Sequence, residues 1–336
     1  MAVKTTYPVL IIAFLIVILN SILLLGFKKK YRRGFTTYDF FLVSFTIANL
    51  IQGVFTYPFV LYTLVSEQNK NHWQCIIAAV LMLNCSVSTI WHLIILSFER
   101  FFSLKYPLFY AKHNKSRLWR GIGVSIPWLS GCFWSFPPLF GWNRYDIEFQ
   151  GRPDCNIDLR DHSKSGLSYL YSLFVFNYIV PIMAFAFTFY HLRIELKKIS
   201  KMARRAIGVG SKIAKASMKT EKTQTILIII MVVSFMVAWT PYSVLVFYRT
   251  AQENEIEVYI YELSAILAKT SCIFNPIIYG LVYKDIRDAI LKSIVGKKRR
   301  NNRVSILATE TDILPNYSVA MVSATPKVCS LDGCYN

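Results

Sequence analysis

Charge is what this chain has least of. Only 17% of its 336 residues are Asp, Glu, Lys or Arg, where a soluble domain carries about a quarter, so an ordinary water-facing surface is excluded. Acids are the scarcer sign, 19 against 38 Lys and Arg, for a formal net charge of +19. In a soluble protein that excess would point to nucleic acid. Here the basic residues lie between long apolar blocks, which points to a lipid bilayer and to no nucleic-acid partner. The seven cysteines, at 75, 85, 132, 155, 272, 329 and 334, are an odd count and exclude a complete disulfide framework. A cleavable signal-peptide pattern is missing: the first apolar block, 7–27, is long enough to span, precedes a basic stop and is expected to be a retained helix. An outward-facing glycosylation sequon is missing too. Asn84-Cys85-Ser86 falls inside an apolar block, while Asn114-Lys115-Ser116 and Asn316-Tyr317-Ser318 fall on the basic side.

What is present is length of apolar chain. A spanning helix needs about 20 mostly apolar residues, and seven stretches qualify: 7–27, 38–65, 75–97, 118–138, 167–190, 225–248 and 258–282. The few polar residues within them must face other helices rather than lipid, so the fold expected is an all-α membrane protein, a seven-transmembrane helix bundle. Basic residues orient it. Lys28, Lys29, Lys30, Arg32 and Arg33 follow the first stretch, and Arg193, Lys197, Lys198, Lys201, Lys215, Lys219 and Lys222 lie between the fifth and sixth. Glu253, Glu255, Glu257 and Glu262 crowd the opposite side, which places the N-terminus outside and the basic loops in the cytoplasm.

After the seventh stretch, Ile286, Ile290, Leu291 and Ile294 share one helical face opposite Arg287 and Lys292. The pattern predicts a short amphipathic eighth helix lying on anionic lipid. The receptor domain is thus expected to cover 1–296. The polar remainder, 297–336, with Ser305, Thr309, Thr311, Ser318, Ser323, Thr325 and Ser330, reads as a disordered tail open to phosphorylation.

Cys75 opens the third stretch and Cys155 lies in the long second outer loop, both on the oxidising side. A bridge between them would pin that loop across the bundle mouth; the alternative is two unpaired thiols. Cys85, Cys132 and Cys272 are mid-span, and Cys329 and Cys334 face a reducing compartment.

Lys269 stands near the centre of the seventh stretch. A lysine there costs about 2.5–3.5 kcal/mol on insertion scales, and about ten apolar positions separate it from the inner helix end, too far to snorkel. One explanation is chemical: burial favours the uncharged amine, whose lone pair can condense with a carbonyl. The other is an ion pair kept for packing.

The motifs around it resemble those of the rhodopsin-like, class A G-protein-coupled receptors. Asn20 stands for the first-helix asparagine of that family. Glu99-Arg100-Phe101 is similar to its Glu/Asp-Arg-Tyr. Trp128, Pro181 and Ala238-Trp239-Thr240-Pro241 match its fourth, fifth and sixth helices, and Asn275-Pro276-Ile277-Ile278-Tyr279 its Asn-Pro-x-x-Tyr. A lysine six residues before that asparagine singles out the animal opsins, and Gly141-Trp142-Asn143-Arg144-Tyr145 is opsin-like as well.

The resemblance implies a light-sensing receptor, not an enzyme, with no catalytic or metal site. It implies retinal, 11-cis in the dark, joined to Lys269 as a Schiff base. Phe235, Trp239 and Tyr242, spaced to share a helical face, would wall the retinal, with Met82, Ser86 and Asn177 completing the pocket from spans three and five. Glu99, Arg100 and Glu221 would form a cytoplasmic switch, completed by Asn275, Pro276 and Tyr279. A heterotrimeric G protein, a receptor kinase and arrestin are the partners implied, and the plasma membrane the location.

Departures from the family pattern carry information. Ala78 stands where vertebrate visual pigments place a glutamate to balance the charged imine, which favours an invertebrate-type opsin. The counterion candidates that remain are Glu148, three residues after Tyr145, then Asp154 beside Cys155, then Glu262, seven residues before Lys269 and about 10 Å along the helix. Asn49 replaces the usual span-two aspartate. Phe189, with Tyr190 next to it, replaces a span-five tyrosine. A retinal photoisomerase without signalling, or a receptor for a diffusible ligand, remain the alternatives.

Overall fold

The computed structural model describes residues 2–31, 35–65, 72–114, 116–147, 155–205, 209–252, 257–282 and 287. In hydrocarbon a backbone N–H finds no water, so each apolar block satisfies its own amides as a helix. Span one is α1 (Ala2–Tyr31) and span two is α2 (Thr37–Ile51) joined through a π turn, Gln52–Thr56, to α3 (Tyr57–Val65). Span three is α4 (His72–Lys105); a short α5 (Pro107–His113) leads into span four, α6 (Arg117–Ser135). Span five joins α7 (Lys164–Phe174) to α8 (Val180–Arg205) through a second π turn, Val175–Ile179. Spans six and seven are α9 (Val209–Gln252) and α10 (Val258–Val282).

Spans one, two, three, five and six are long and apolar enough to cross a membrane by themselves. The other two are supported by neighbours. Span four, with Arg117 and Arg120 in its first turn, packs along α4, and span seven, with Glu262 and Lys269 inside it, packs along α9. Span three is the hub, meeting spans two, four, five and six.

Two glycines set the approach of span four. A Cβ on Gly131 would come within 2.3 Å of Ser88 Oγ and 2.7 Å of the Asn84 carbonyl, and one on Gly123 would strike the Phe41 ring. Such small residues let backbones close where lipid supplies no hydrophobic drive. At the inner face Thr36 and Asp39 form a capping box on α2, and Asp39 also takes Lys30 Nζ at 2.6 Å, so the first inner turn is tied to both helices.

The outer mouth is closed by a hairpin. Strands β1 (Tyr145–Ile147) and β2 (Cys155–Ile157) pair antiparallel with Tyr145 opposite Ile157. The Cys75–Cys155 disulfide, with Cα atoms 5.2 Å apart, ties β2 to the start of span three. The Asp158 N–H donates to Arg144 O at 2.9 Å and extends the ladder; the Asp158 carboxylate, 2% exposed, takes the Arg144 guanidinium at 2.8 Å. Burial alone would raise that carboxyl, but the Arg160 N–H and the Arg144 guanidinium outweigh it and hold it below the usual carboxylate range.

Spans five and six depart from their expected ends. Span five runs past Tyr190 to Arg205, and span six begins at Val209 rather than at Thr225. Leu192, Leu196 and Ile199 form a stripe that packs on Met218, Phe101 and Leu104. The other face carries Arg193, Lys197, Lys198 and Lys201, so the span-five extension is amphipathic and falls below an apolar-block threshold. The eighth helix expected over 284–295 and the tail 297–336 lie outside the described residues, apart from Arg287.

Two outcomes test this architecture. Gly131→Val should overpack the seam of spans three and four, costing about 1–3 kcal/mol and lowering the melting temperature in detergent by several degrees; an unchanged melt would contradict the seam. A carboxyl held low in the folded state stabilises above its unfolded pKa, and that stabilisation is lost as pH falls through the folded value. The protection of the Tyr145–Ile147 amides, measured against their intrinsic exchange rates, should therefore fall below about pH 4, and Asp158→Asn should show the reduced protection already at neutral pH.

Candidate functional site

Beneath the hairpin lies a cavity of about 230 Å³ between the outer halves of the spans. Lys269, half-buried on α10, lines it. So do Phe235, Trp239 and Tyr242 from span six, Met82 and Ser86 from span three, and Asn177 from span five. Every pocket residue expected from the sequence is therefore brought to one cavity. Phe235 and Trp239 stack with centroids 5.7 Å apart, and Tyr242 meets Trp239 edge-on at 5.9 Å. The Trp239 indole N–H donates to Ser271 Oγ at 3.0 Å, linking span six to span seven on the turn after Lys269. Asn177 lies in the span-five π turn; its oxygen accepts the Trp91 indole N–H at 3.1 Å and its amide donates to Leu173 O at 3.1 Å.

The roof is polar and specific. Asn156 on β2 donates to Tyr242 Oη at 3.0 Å and to Tyr261 Oη at 3.3 Å, and the two phenols lie 3.0 Å apart. The disulfide places β2, and Asn156 then joins the hairpin to spans six and seven at once. Of the three acids considered as charge partners, Glu262 lines the cavity, while Glu148 and Asp154 lie outside the described residues. Among the described lining residues Lys269 is the one base and Glu262 the one acid. An amine held in an apolar, aromatic-walled cavity is suited to condensing with a carbonyl and retaining a rigid apolar ligand.

A second cluster closes the cytoplasmic end. Arg100, 2% exposed, forks onto Glu99 at 2.5 and 2.7 Å and reaches Glu221 on span six at 3.0 Å. Gln224 also accepts from the Arg100 guanidinium, and Tyr110 on α5 donates to Glu99. The guanidinium lies 4.3 Å from the centre of the Tyr38 ring, and Tyr38 packs on Tyr279 with centroids 6.5 Å apart. Asn275 donates to Ser271 O at 3.2 Å, one turn above Tyr279, and Pro276 sits between them inside α10. At the span-five departure, Phe189 turns inward and stacks on Phe185, whereas Tyr190 is 66% exposed on the outer face and does not replace the missing hydroxyl.

Sequence reasoning missed five of these residues. Gln224, Tyr110 and Asn156 act only once distant elements meet, and nothing local marks them. Tyr261 shares the helical face of Ala265 and Lys269 and was open to the periodicity that grouped the aromatics of span six. Gln52, a buried amide on the cavity wall, was open to the argument that found Lys269, since a polar side chain inside a span needs a reason.

Comparison with known proteins places the chain. The family described as 7 transmembrane receptor (rhodopsin family) matches residues 19–279. The blue-sensitive opsin of Carassius auratus is 26% identical over 284 residues, covering 82% of this chain and 76% of that protein. The G0-coupled rhodopsin of Mizuhopecten yessoensis is 27% identical over 302 residues, 88% of this chain and 73% of that one. The crystal structure of squid rhodopsin superposes with a TM-score of 0.75 at 19% identity, over 87% of this chain and 85% of that chain, and shares the fold. The chain belongs to the rhodopsin family of seven-transmembrane receptors, and within it to the light-sensing animal opsins.

Proposed function

We propose that this receptor holds retinal covalently through Lys269, in the 11-cis form in the dark, and answers light by opening its cytoplasmic face to a heterotrimeric G protein. The observation that carries the reading is the placement of Lys269 on the wall of one cavity together with Phe235, Trp239 and Tyr242. The donor set fits the group: one primary amine to form the bond, a stacked aromatic wall for a flat polyene, and mostly aliphatic lining elsewhere. When bound, retinal supplies a light-driven change of shape.

The chain's own residues do the rest. Lys269 fixes one end of the ligand to span seven. Trp239, bonded to Ser271, is the contact through which pressure in the cavity reaches span six, and Pro241 two residues on interrupts its hydrogen-bond ladder and gives it a hinge. At the far end the Arg100–Glu221 pair holds span six closed against span three. Outward movement of span six separates that pair and leaves Arg100 and the inward face of Tyr279 to the cleft that a G-protein segment would enter. The plasma membrane with the N-terminus outside suits the basic inner surface, and the tail 297–336 would serve a receptor kinase and arrestin.

The deciding experiment adds 11-cis-retinal to the expressed chain in the dark and records absorption before and after illumination, beside Lys269→Ala. A light-sensitive band is expected in the wild type and none in the variant. The same band in both proteins, or none in a folded wild type, would overturn the reading. For the switch, Glu221→Gln should raise G-protein activation in the dark about fivefold, the factor that about 1 kcal/mol supplies. Dark activity equal to wild type would show that the pair does not hold the closed state.

A further inference from the structure

Gln52 is 2% exposed and opens the π turn of span two. Its amide nitrogen lies 3.0 Å from Met82 Sδ, and its oxygen accepts the Cys272 thiol at 3.0 Å. Met82 stands one turn after Ala78 on span three, and Cys272 three residues after Lys269 on span seven. The carboxamide therefore occupies the convergence of spans two, three and seven, on the wall of the cavity that Lys269 lines.

Its present partners are weak ones. Thioether and thiol sulfur are poor hydrogen-bonding groups, whereas a buried amide costs several kcal/mol when left poorly satisfied. The neighbouring cluster is mostly apolar, with Val9, Ile12 and Ile16 from span one, Val60 from span two and Ile273 from span seven, alongside Tyr57 and Cys272. A carbonyl oxygen has two lone pairs, of which Cys272 uses one. The π turn adds a second reason to expect a task here, because such turns concentrate at functional sites.

We propose that Gln52 is the neutral hydrogen-bond acceptor for the Lys269 nitrogen in the retinal-bound protein, the positioning role that Ala78 cannot perform. The inference rests on retinal being bound at Lys269. A carboxamide offers the protonated nitrogen a dipole but no charge, so it orients the nitrogen and raises its proton affinity while leaving charge compensation to a more distant acid. Among the described residues, the titratable groups near this point and along the cavity wall it shares with Lys269 are Tyr57 on span two, Cys85 on span three, Tyr178 on span five, Tyr242 on span six, and Tyr261, Glu262 and Cys272 on span seven; span one adds none to the cluster. Glu262 is the one carboxyl group among them.

The test uses the full chain loaded with 11-cis-retinal and titrates its absorption with pH, in wild type, Gln52→Leu and Gln52→Glu. Gln52→Leu should lower the proton affinity of the nitrogen about tenfold, one pH unit, and shrink the C=N stretching shift on transfer to D₂O. Gln52→Glu, nearly identical in shape, should raise the proton affinity by at least as much. If the wild type holds no proton at neutral pH, Gln52→Glu should create a visible band. Both variants titrating with the wild type, with an unchanged C=N shift, would overturn the proposal while leaving the retinal reading intact. Absence of any Lys269-dependent band in the wild type would instead remove the reading on which the proposal rests. Should Gln52→Leu fail to fold, the isosteric Gln52→Glu decides alone.

Discussion

Hydrocarbon cannot hydrogen-bond, and almost every feature of this molecule follows from that one property of its surroundings. Backbone amides must be satisfied within each segment, so the apolar blocks become helices. A polar side chain inside a span must find a partner on its own preceding turn or on another span, and several of the latter become cross-ties. Asn20 reaches the Cys272 carbonyl, Trp239 reaches Ser271, Trp91 reaches Asn177 and His92 reaches Ser44, each linking two spans. The bundle is held in register by a few polar bonds set in apolar packing rather than by a single sealed core.

The same constraint divides the molecule into two ends that behave differently. At the outer end the disulfide, the hairpin and the Asn156–Tyr242–Tyr261 network close a cavity and fix its roof to spans six and seven. At the inner end a charged cluster around Arg100 joins span three to span six through Glu221 and Gln224. Span six takes part in both, with Pro241 between them. An arrangement clamped at two places and weakened beside the outer clamp leaves a long inner arm free to move without deforming the cavity.

How much of this could be read from the residues depended on what made each one costly. Lys269 was legible because a charge in a span is expensive wherever its neighbours lie. The Arg100 switch was legible from a short motif, but Tyr110 and Gln224 were not, since their roles arise only when α5 and α9 approach span three. The long inner extensions of spans five and six escaped a search for apolar blocks because lysines and arginines recur along both, Arg193, Lys197, Lys198 and Lys201 in one and Lys212, Lys215, Lys219 and Lys222 in the other. The two π turns left no trace in composition at all, since an added residue per turn changes no side chain's chemistry.

Those turns have a consequence for how the chain is compared with its relatives. A residue advances about 100° around an α-helix, and a π turn absorbs one extra residue in a single turn. Loss of one residue from Gln52–Thr56 would restore a regular helix and leave its outer half facing as before, with every outer residue renumbered by one. The outer part of span two would then present the same stripe to the cavity under numbers one lower. Counting from Asn49 toward the cell exterior therefore equates positions that share a number but not a direction. Facing residues in spans two and five are comparable between relatives only when each is numbered from its own side of the turn.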